Sequence, residues 1–521
     1  MKDGHNILTR HWYLLIFTVI ITILAILVAP GLVWKVHAQS APSFNVNNVS
    51  IRLGQPKVLR GPAYFDSPLS QYKDSLGVWH SFFEIGGDDE VGGWTRAVTG
   101  STQDAISGTP SPAIAKTDCG NWMFNTQKVG SNLIALVHHE DNCDYRANSM
   151  KTNKSMRISA STDNGATWTN WGTIISGVKA PTSGQVTGDG DCQFIDGHDG
   201  YLYAYCLQSW DYETSGWVET RRTIVARAPS WSIGPGSWYK YNGMAWGSAG
   251  LAGGADLLAG VGGEGKGVGY WTPQNRVMLI GGEVNGDSVN NDGVTIYFSD
   301  NKVDFTKLNE PLISYNDTEQ VWDRSLTTPS PLLSYFSLAN NGDGYSGSPA
   351  DGSNNVGDQF ALWYRYTPPG SKIEENSYFV KQTVYLTYLS SPPPFQVGNA
   401  LTTWEDTSSG QLRSTIGPVE GAWGAVDDLG FMMTKAPAGA SSIQVDECKY
   451  GSDWYAVPTS SGCGGGIVRT RSLGWVYTTQ QANTDPLYRC VNASSKHFLS
   501  NTSNCDAKGT MEYLLGYIPN S

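Results

Sequence analysis

The stretch Ser159–Trp168 reads SASTDNGATW. From Ser161 onward it has the form Ser-x-Asp-x-Gly-x-Thr-Trp, preceded by MRISA and followed by TNWGTII. Both flanks read as strands, so the stretch sits at the turn of a hairpin. A short Asp such as Asp163 can accept hydrogen bonds from the backbone N–H groups of its own turn. Gly165 can supply a positive φ. Trp168 opens the next strand and can pack back across the hairpin. Residues of this kind fasten a turn, so the stretch speaks first about fold.

Working outward, strand-like runs recur along the chain. They include LGVWHSFFEI, NLIALVHHE, GYLYAYCLQ, RTIVARA, RVMLIGGEV, VTIYFSD, QFALWYRYT and KQTVYLTYL. Turn signals rich in Gly, Asn and Asp separate them, and no amphipathic helix longer than about three turns is evident. The 521 residues are 16% charged and 12% aromatic, with 60 Gly, a composition of short strands and tight turns. The expected class is all-β: a sandwich, barrel or propeller.

The Ser161–Trp168 pattern resembles the Asp box of sialidase-like β-propellers. A degenerate copy is expected in FSDNKVDFT, where Asp300 to Phe305 repeats the Asp163-to-Trp168 offset and the Ser and Gly positions are lost. Five similar units centre on YFDSPL…VWHSFFEI, NWMFNTQ…NLIALVHHE, GDGDCQF…YLYAYC, GGADLLAG…VMLIGGE and VWDRSLT…FALWYRY. This order resembles the five-bladed propellers of arabinanase-, xylosidase- and invertase-type glycosidases, over roughly residues 45–390. Six blades, as in sialidases, is the alternative.

The remaining organisation frames that propeller. Residues 1–38 read as a signal peptide or signal anchor: Lys2 and Arg10 precede an apolar run, Trp12–Trp34, and Val36-His37-Ala38 offers a cleavage site. The chain beyond is therefore expected outside the cytoplasm, secreted or at the cell surface, with membrane contact only through an uncleaved segment. The propeller is expected over 39–389 and a Pro-rich linker over 390–396, SSPPPFQ in sequence. A β-rich repeat module follows over 397–521. Within it Cys448–Cys463 and Cys490–Cys505 have identical spacing, and copies end in Leu429-Gly430-Phe431, Leu473-Gly474-Trp475 and Leu515-Gly516-Tyr517. The period is about 42 residues, which suits a compact pseudo-threefold module. It resembles an aromatic-rich repeat of unknown function appended to secreted microbial proteins.

Eight cysteines fall into local couples: Cys119/Cys143, Cys192/Cys206, Cys448/Cys463 and Cys490/Cys505. Four disulfides are expected in an oxidising compartment, although spacing alone leaves their connectivity open. No Cys-x-x-Cys or His-Glu-x-x-His is present, which argues against zinc. NGDSVNNDG and DGSNNVGD lack a complete calcium-loop pattern, so no cofactor is expected beyond a possible structural calcium. The net charge of −12 argues against a nucleic-acid partner and slightly favours a neutral glycan over an acidic one.

In a propeller, box turns lie on the outer rim, and ligands bind where the innermost strands converge. Asp163 is thus a structural residue. Carboxylates at the inner-strand position are Asp66, Asp191, Asp256 and Asp323, with Glu140 after the second unit. Glycoside hydrolysis needs one protonated and one ionised carboxyl group flanking the bond. The glycosidase resemblance implies Asp66 as general base, Asp191 as an orienting carboxylate and Glu140 as acid, with Glu264 or Glu283 as alternatives for the acid. His139, Arg227, Asp256 and Asp323 are candidate substrate-binding residues. The pair His138-His139 cannot easily hold one metal ion, because adjacent strand residues point to opposite faces. A sialidase would need three Arg residues gripping a carboxylate; Arg227, Arg324 and Arg365 are scattered, and Lys116 stands where the family's Arg is expected. The leading expectation is an exported glycoside hydrolase with a glycan- or surface-binding C-terminal module. A non-catalytic carbohydrate-binding or adhesion propeller is the alternative, since fold does not imply function.

Overall fold

The computed structural model describes residues 44–520 apart from 87–92, 116, 118, 145–150, 178–185, 212–217, 263–264, 286–287, 315–326, 329–330 and 342–350. The chain divides into two compact units, Met1–Asn45 and Val46–Ser521. The second is almost wholly strand, and among the described residues its only helices are short 3₁₀ turns.

Its antiparallel strands follow one another in chain order. A first group comprises Ser70–Lys73, Trp79–Glu84, Thr95–Gly100 and Ser111–Pro112. A second comprises Trp122–Val129, Asn132–Asp144, Lys151–Ser161 and Thr169–Ser176. The third holds Val186–Asp196, Tyr201–Asp211, Val218–Pro229, Tyr239–Tyr241 and Trp246–Ala249, and is joined to the second in one sheet by a short parallel pairing of Val186–Gly188 with Thr152–Lys154. The fourth holds Gly267–Trp271, Arg276–Asn285, Ser288–Ser299 and Thr306–Lys307. In the fifth, Leu332–Ala339, Gln359–Thr367 and Ser377–Tyr388 are completed by the early strands Lys57–Ala63 and Val49–Leu53.

The first strands of successive groups touch in order, and that of the fifth touches that of the first. Buried polar side chains link the groups. Ser70 Oγ meets Thr126 Oγ1 at 2.9 Å, and the Asn125 amide both donates to Phe194 O and accepts from its N–H. Gln193 Nε2 donates to Lys266 O (2.9 Å) and Phe336 O (2.7 Å), and Ser337 Oγ donates to Leu69 O (2.6 Å). Burying these groups is tolerable only because they are paired. Apolar clusters fill the space between groups. Phe82 and Met123 lie between the first and second, Leu136 and Phe194 between the second and third, and Tyr205 and Leu279 between the third and fourth. Phe83 and Trp363 join the fifth to the first. First strands are buried on both faces, as in Trp122–Gln127, whose polar members Asn125 and Thr126 are paired across the junctions.

The opening stretch forms the expected turn. Ser161 Oγ donates to Asp163 Oδ1 (2.7 Å) and accepts from Gly165 N–H (2.8 Å). Asp163 accepts from Thr167 N–H and Oγ1, which, with Ser161, hold its carboxyl at about 2. Trp168 packs edge-on against Phe82 of the first group, and a Cβ at Gly165 (φ 85°) would strike that same ring. In the second copy the sequence alignment is off by one residue. The serine is present as Ser299: its Oγ donates to Asn301 and accepts from Lys302 N–H. Asn301 takes the part of Asp163, accepting from Val303 and Asp304 N–H, while Asp300 is exposed beside Arg276.

Beyond residue 390, Phe395 and Gln396 are buried, and Glu310 accepts the N–H groups of Gln396 and Val397. Val49–Leu53 pairs with both Ser377–Tyr388 and Val397–Asp406, so the later strands continue the same sheet. Those strands form three triplets: Val397–Asp406, Leu412–Thr415 and Trp423–Met433; Ser442–Tyr450, Asp453–Pro458 and Val468–Tyr477; Thr484–Val491, His497–Ser500 and Thr510–Pro519. The middle strands touch one another, as do the last strands. The recurring Leu-Gly-aromatic phrase has a physical cause. A Cβ on Gly430 would strike Pro519 O, on Gly474 Met433 O, and on Gly516 Tyr477 O. Each triplet thus brings its backbone against a neighbour through a glycine, in a closed cycle.

All four expected cysteine couples are bridged: Cys119–Cys143, Cys192–Cys206, Cys448–Cys463 and Cys490–Cys505. The surroundings of Cys143 differ from the sequence reading in one respect. The strand-like run NLIALVHHE stops at Glu140, which leaves Cys143 beyond the strand; the structure carries the strand on to Asp144, with Cys143 inside it. The cause is an irregularity that the run of letters hides. The pairing register shifts between Asp141 and Asp144, and Asn142 takes a left-handed backbone at φ 57°. Cys143 is half-buried, whereas Cys192 and Cys206 are fully buried in the core.

Candidate active site

Three of the first strands carry a one-residue bulge. The breaks fall between Met123 and Asn125, Gly190 and Gln193, and Ser334 and Ser337. A bulge leaves a residue unpaired and re-aims its side chain. At two of them a non-glycine residue takes the left-handed conformation, Asp191 at φ 51° and Tyr335 at φ 54°. Such a backbone costs about 1–3 kcal/mol per residue and persists only where surrounding contacts enforce it.

The contacts at Asp191 are dense. Lys154 Nζ lies 2.5 Å from Oδ2, and His138 Nδ1 lies 3.3 Å from Oδ1. The Asp191 N–H donates to His138 Nδ1 at 3.0 Å. A neutral His138 ring therefore carries its proton on Nε2, which faces Glu140 Oε1 at 3.4 Å. The ring is held between Trp122 and Phe124, and a Cβ on Gly190 would strike it. Burial alone would raise the Asp191 carboxyl; Lys154, by charge and hydrogen bond, opposes it with Lys266, and Asp191 is held below the ordinary carboxylate value.

Tyr335 makes the second link. Its OH donates to Asp66 Oδ1 at 2.9 Å, and its ring touches Phe124 edge-on. Burial raises the Tyr335 phenol well above its usual value, and Asp66 and Asp191 both add to the rise. Arg365 lies 4.7 Å from the centre of the Tyr335 ring and is itself held by Ser334 Oγ and Phe65 O. Glu84, fully buried, accepts the Asp66 N–H at 2.8 Å. Asp66, Glu140 and Asp191 thus enter one connected neighbourhood through Tyr335, Phe124 and His138.

Other expected residues lie elsewhere. His139 points to the opposite face, with Nδ1 donating to Gly120 O at 2.6 Å; burial and Arg157 hold its imidazole below the ordinary value. Cys143 takes no direct part in the site. Its N–H donates to Cys119 Sγ at 3.3 Å, and Cys119 O accepts the Glu140 N–H at 3.2 Å, so the bridge acts on the backbone that carries Glu140. Arg227 and Asp256 are not brought to the site. Arg227 lies on the third strand of the third group between Tyr201 and Trp246, and Asp256 is exposed. Asp323, Arg324, Lys116 and Glu264 lie outside the described residues, as does the side chain of Glu283. Sequence reasoning missed Lys154 and Tyr335, which sit in ordinary strand runs, and Lys266, which stands in a Gly-rich stretch just before Gly267–Trp271. Among the described residues, no group of three or more His, Cys, Asp and Glu side chains could hold a metal ion.

No family model matches the chain, and no curated protein matches it. Solved structures of similar outline exist. A protein of unknown function from Dyadobacter fermentans is 11% identical, covering 65% of this chain and 100% of its own, at a TM-score of 0.35. An N-acetylgalactosamine deacetylase from F. plautii is 13% identical, covering 65% of this chain and 98% of its own, at 0.38. A family 117 glycoside hydrolase from Zobellia galactanivorans is 10% identical, covering 66% and 92%, at 0.38. Likenesses this distant leave the strand order and side-chain geometry of the chain itself to carry the reading.

Proposed function

We propose that this protein is an exported carbohydrate-active hydrolase on a five-bladed β-propeller, which cleaves a glycosidic bond of an oligo- or polysaccharide at the Asp66–Tyr335–Asp191–Glu140 neighbourhood. Five strand groups, first strands touching in sequence and an early strand completing the last group support the blade count. The observation that carries the chemistry is the double link: Tyr335 holds Asp66 and His138 joins Asp191 to Glu140.

Hydrolysis requires a carboxylate that acts on the water side and a carboxylic acid that protonates the leaving oxygen. Asp66 takes the first role, accepting the proton of the attacking water as its oxygen bonds to the anomeric carbon. Glu140 takes the second. Its Oε1 accepts from His138, which leaves Oε2 to carry the proton and pass it to the departing oxygen. Asp191, kept ionised by Lys154, orients the sugar and stabilises developing positive charge at the anomeric carbon. The N-terminal apolar run and four disulfides support export. The three triplets are proposed as a glycan- or surface-binding module.

The test is sugar release from a panel of polysaccharides and aryl glycosides by the parent protein, Asp66→Asn and Asp191→Asn. Release by the parent and its loss in both variants is expected. Release unchanged by either substitution would remove that residue from the mechanism.

A further inference from the structure

Asp66 stands on a stretch of backbone that belongs to no strand. Lys57–Ala63 ends before it, and Ser70–Lys73 begins after it. A backbone N–H outside a ladder needs a partner of another kind. The Asp66 N–H finds one on a side chain, donating to Glu84 Oε2 at 2.8 Å. Glu84 ends the second strand of the first group and is fully buried. Its own N–H donates to Ser67 Oγ at 2.9 Å, and Gly86 N–H donates to Tyr64 O at 3.1 Å. On the other side of this loop, Arg365 Nη1 donates to Phe65 O at 2.7 Å. Tyr335 thus fixes the carboxylate of Asp66, and Glu84 fixes its backbone.

Glu84 also stands behind the other half of the site. A Cβ on Gly93 would lie 2.5 Å from Trp122 Nε1 and 2.8 Å from Glu84 Cγ, so the indole and the Glu84 side chain occupy the room that a larger residue at 93 would take. The Trp122 ring meets the His138 ring at 5.2 Å between centres, and His138 joins Asp191 to Glu140. A reacting group must be held within about 0.5 Å of its working place by neighbours that are themselves locked. Burial locks Glu84. Its grip on Asp66 depends on reach, because the bond runs from the end of a side chain on one strand to the backbone of a loop. Removing one methylene withdraws the acceptor from the Asp66 N–H.

We infer that Glu84 is the positioning residue of Asp66: buried away from substrate, it sets through the Asp66 N–H where the Asp66 carboxylate stands. The role rests on the hydrolytic reading of Asp66, whereas the grip itself requires no turnover. The experiment compares Glu84→Gln, which keeps the reach and an acceptor oxygen, with Glu84→Asp, which keeps a carboxyl group and shortens the reach. Glu310→Asp is the control, because Glu310 likewise accepts backbone N–H groups, those of Gln396 and Val397 at 2.9 Å, and lies outside the site. For each protein, kcat and KM are measured on a glycoside that the parent cleaves, beside hydrogen exchange at the Asp66 amide. Glu84→Asp is expected to lower kcat about 10²-fold with KM within about twofold, and Glu84→Gln to stay within about tenfold of the parent. Glu310→Asp should leave kcat unchanged. The Asp66 amide should exchange about tenfold faster or more in Glu84→Asp than in the parent or Glu84→Gln. In an active parent, Glu84→Asp as active as Glu84→Gln, an equal kcat loss in Glu310→Asp, or a loss confined to KM would overturn the role. Asp66 amide exchange that is alike in parent and Glu84→Asp would overturn the grip. A parent that cleaves nothing would remove the hydrolytic reading instead, and the amide exchange would still decide the grip.

Discussion

Replacing Glu447 by Gln tests how the last three strand triplets are held. Glu447 is 1% exposed and lies between two guanidinium groups, Arg413 at 3.0 Å and Arg471 at 3.1 Å, with Thr470 Oγ1 donating at 2.7 Å. Arg471 also reaches Tyr366 OH, in the fifth group, at 3.3 Å. Burial would raise the Glu447 carboxyl; the two arginines outweigh it and bring it from 4.5 to about 2. At 1.36 kcal/mol per pH unit, this contributes about 3 kcal/mol when the group is ionised. The lowered value fixes the sign. The contribution is complete above about 4.5 and is lost as the pH falls toward about 2. The Gln variant lacks it at neutral pH and leaves two buried cations without a carboxylate, so a loss of about 3–5 kcal/mol is expected. Guanidinium unfolding of parent and variant from pH 7 to pH 3 measures it. The deficit should be largest at pH 7 and shrink as the parent loses its own ionised Glu447. A deficit below about 1 kcal/mol at pH 7, or one independent of pH, would refute the reasoning.

The other predictions concern the site and its supports. Lys154→Met removes the main charge that holds Asp191 low, so Asp191 should titrate higher and the acid limb of the activity profile should move to higher pH; an unmoved limb would detach Lys154 from Asp191. Replacing both Cys192 and Cys206 by Ala opens the bridge that ties the Asp191 strand to its neighbour. Loss of about 2–4 kcal/mol in denaturant unfolding is expected, read beside activity at low temperature. Asp163→Ala should lower the melting temperature by freeing the Thr167 and Ser161 bonds, with sugar release unchanged at temperatures where the protein stays folded.

The legible parts of this chain were those whose cause is local. Ser161–Trp168 declared its turn because all its hydrogen bonds close within eight residues, and the Leu-Gly-aromatic phrase declared a repeat because each copy needs the same close backbone approach. The second turn misled by one position because Asn301 replaces an Asp and the turn is a residue shorter. The strand through Glu140 was read too short because the left-handed Asn142 interrupts its pattern just before Cys143. The site was less legible. Asp66, Glu140 and Asp191 stood out as carboxylates at unit boundaries. Tyr335 and Lys154 did not, because a bulge and a left-handed backbone leave no periodic trace in LLSYFSLA, and a buried lysine reads as an ordinary polar strand position. Arg227 misled because its stacking partners, Tyr201 and Trp246, lie on other strands.

The most direct measurement for the central claim is sugar release from the polysaccharide and aryl glycoside panel by the parent protein, Asp66→Asn and Asp191→Asn, each first shown to be folded. The account predicts release by the parent and a loss of about 10²-fold or more in each variant. Release that survives both substitutions, or a folded parent that cleaves nothing on the panel, would contradict it.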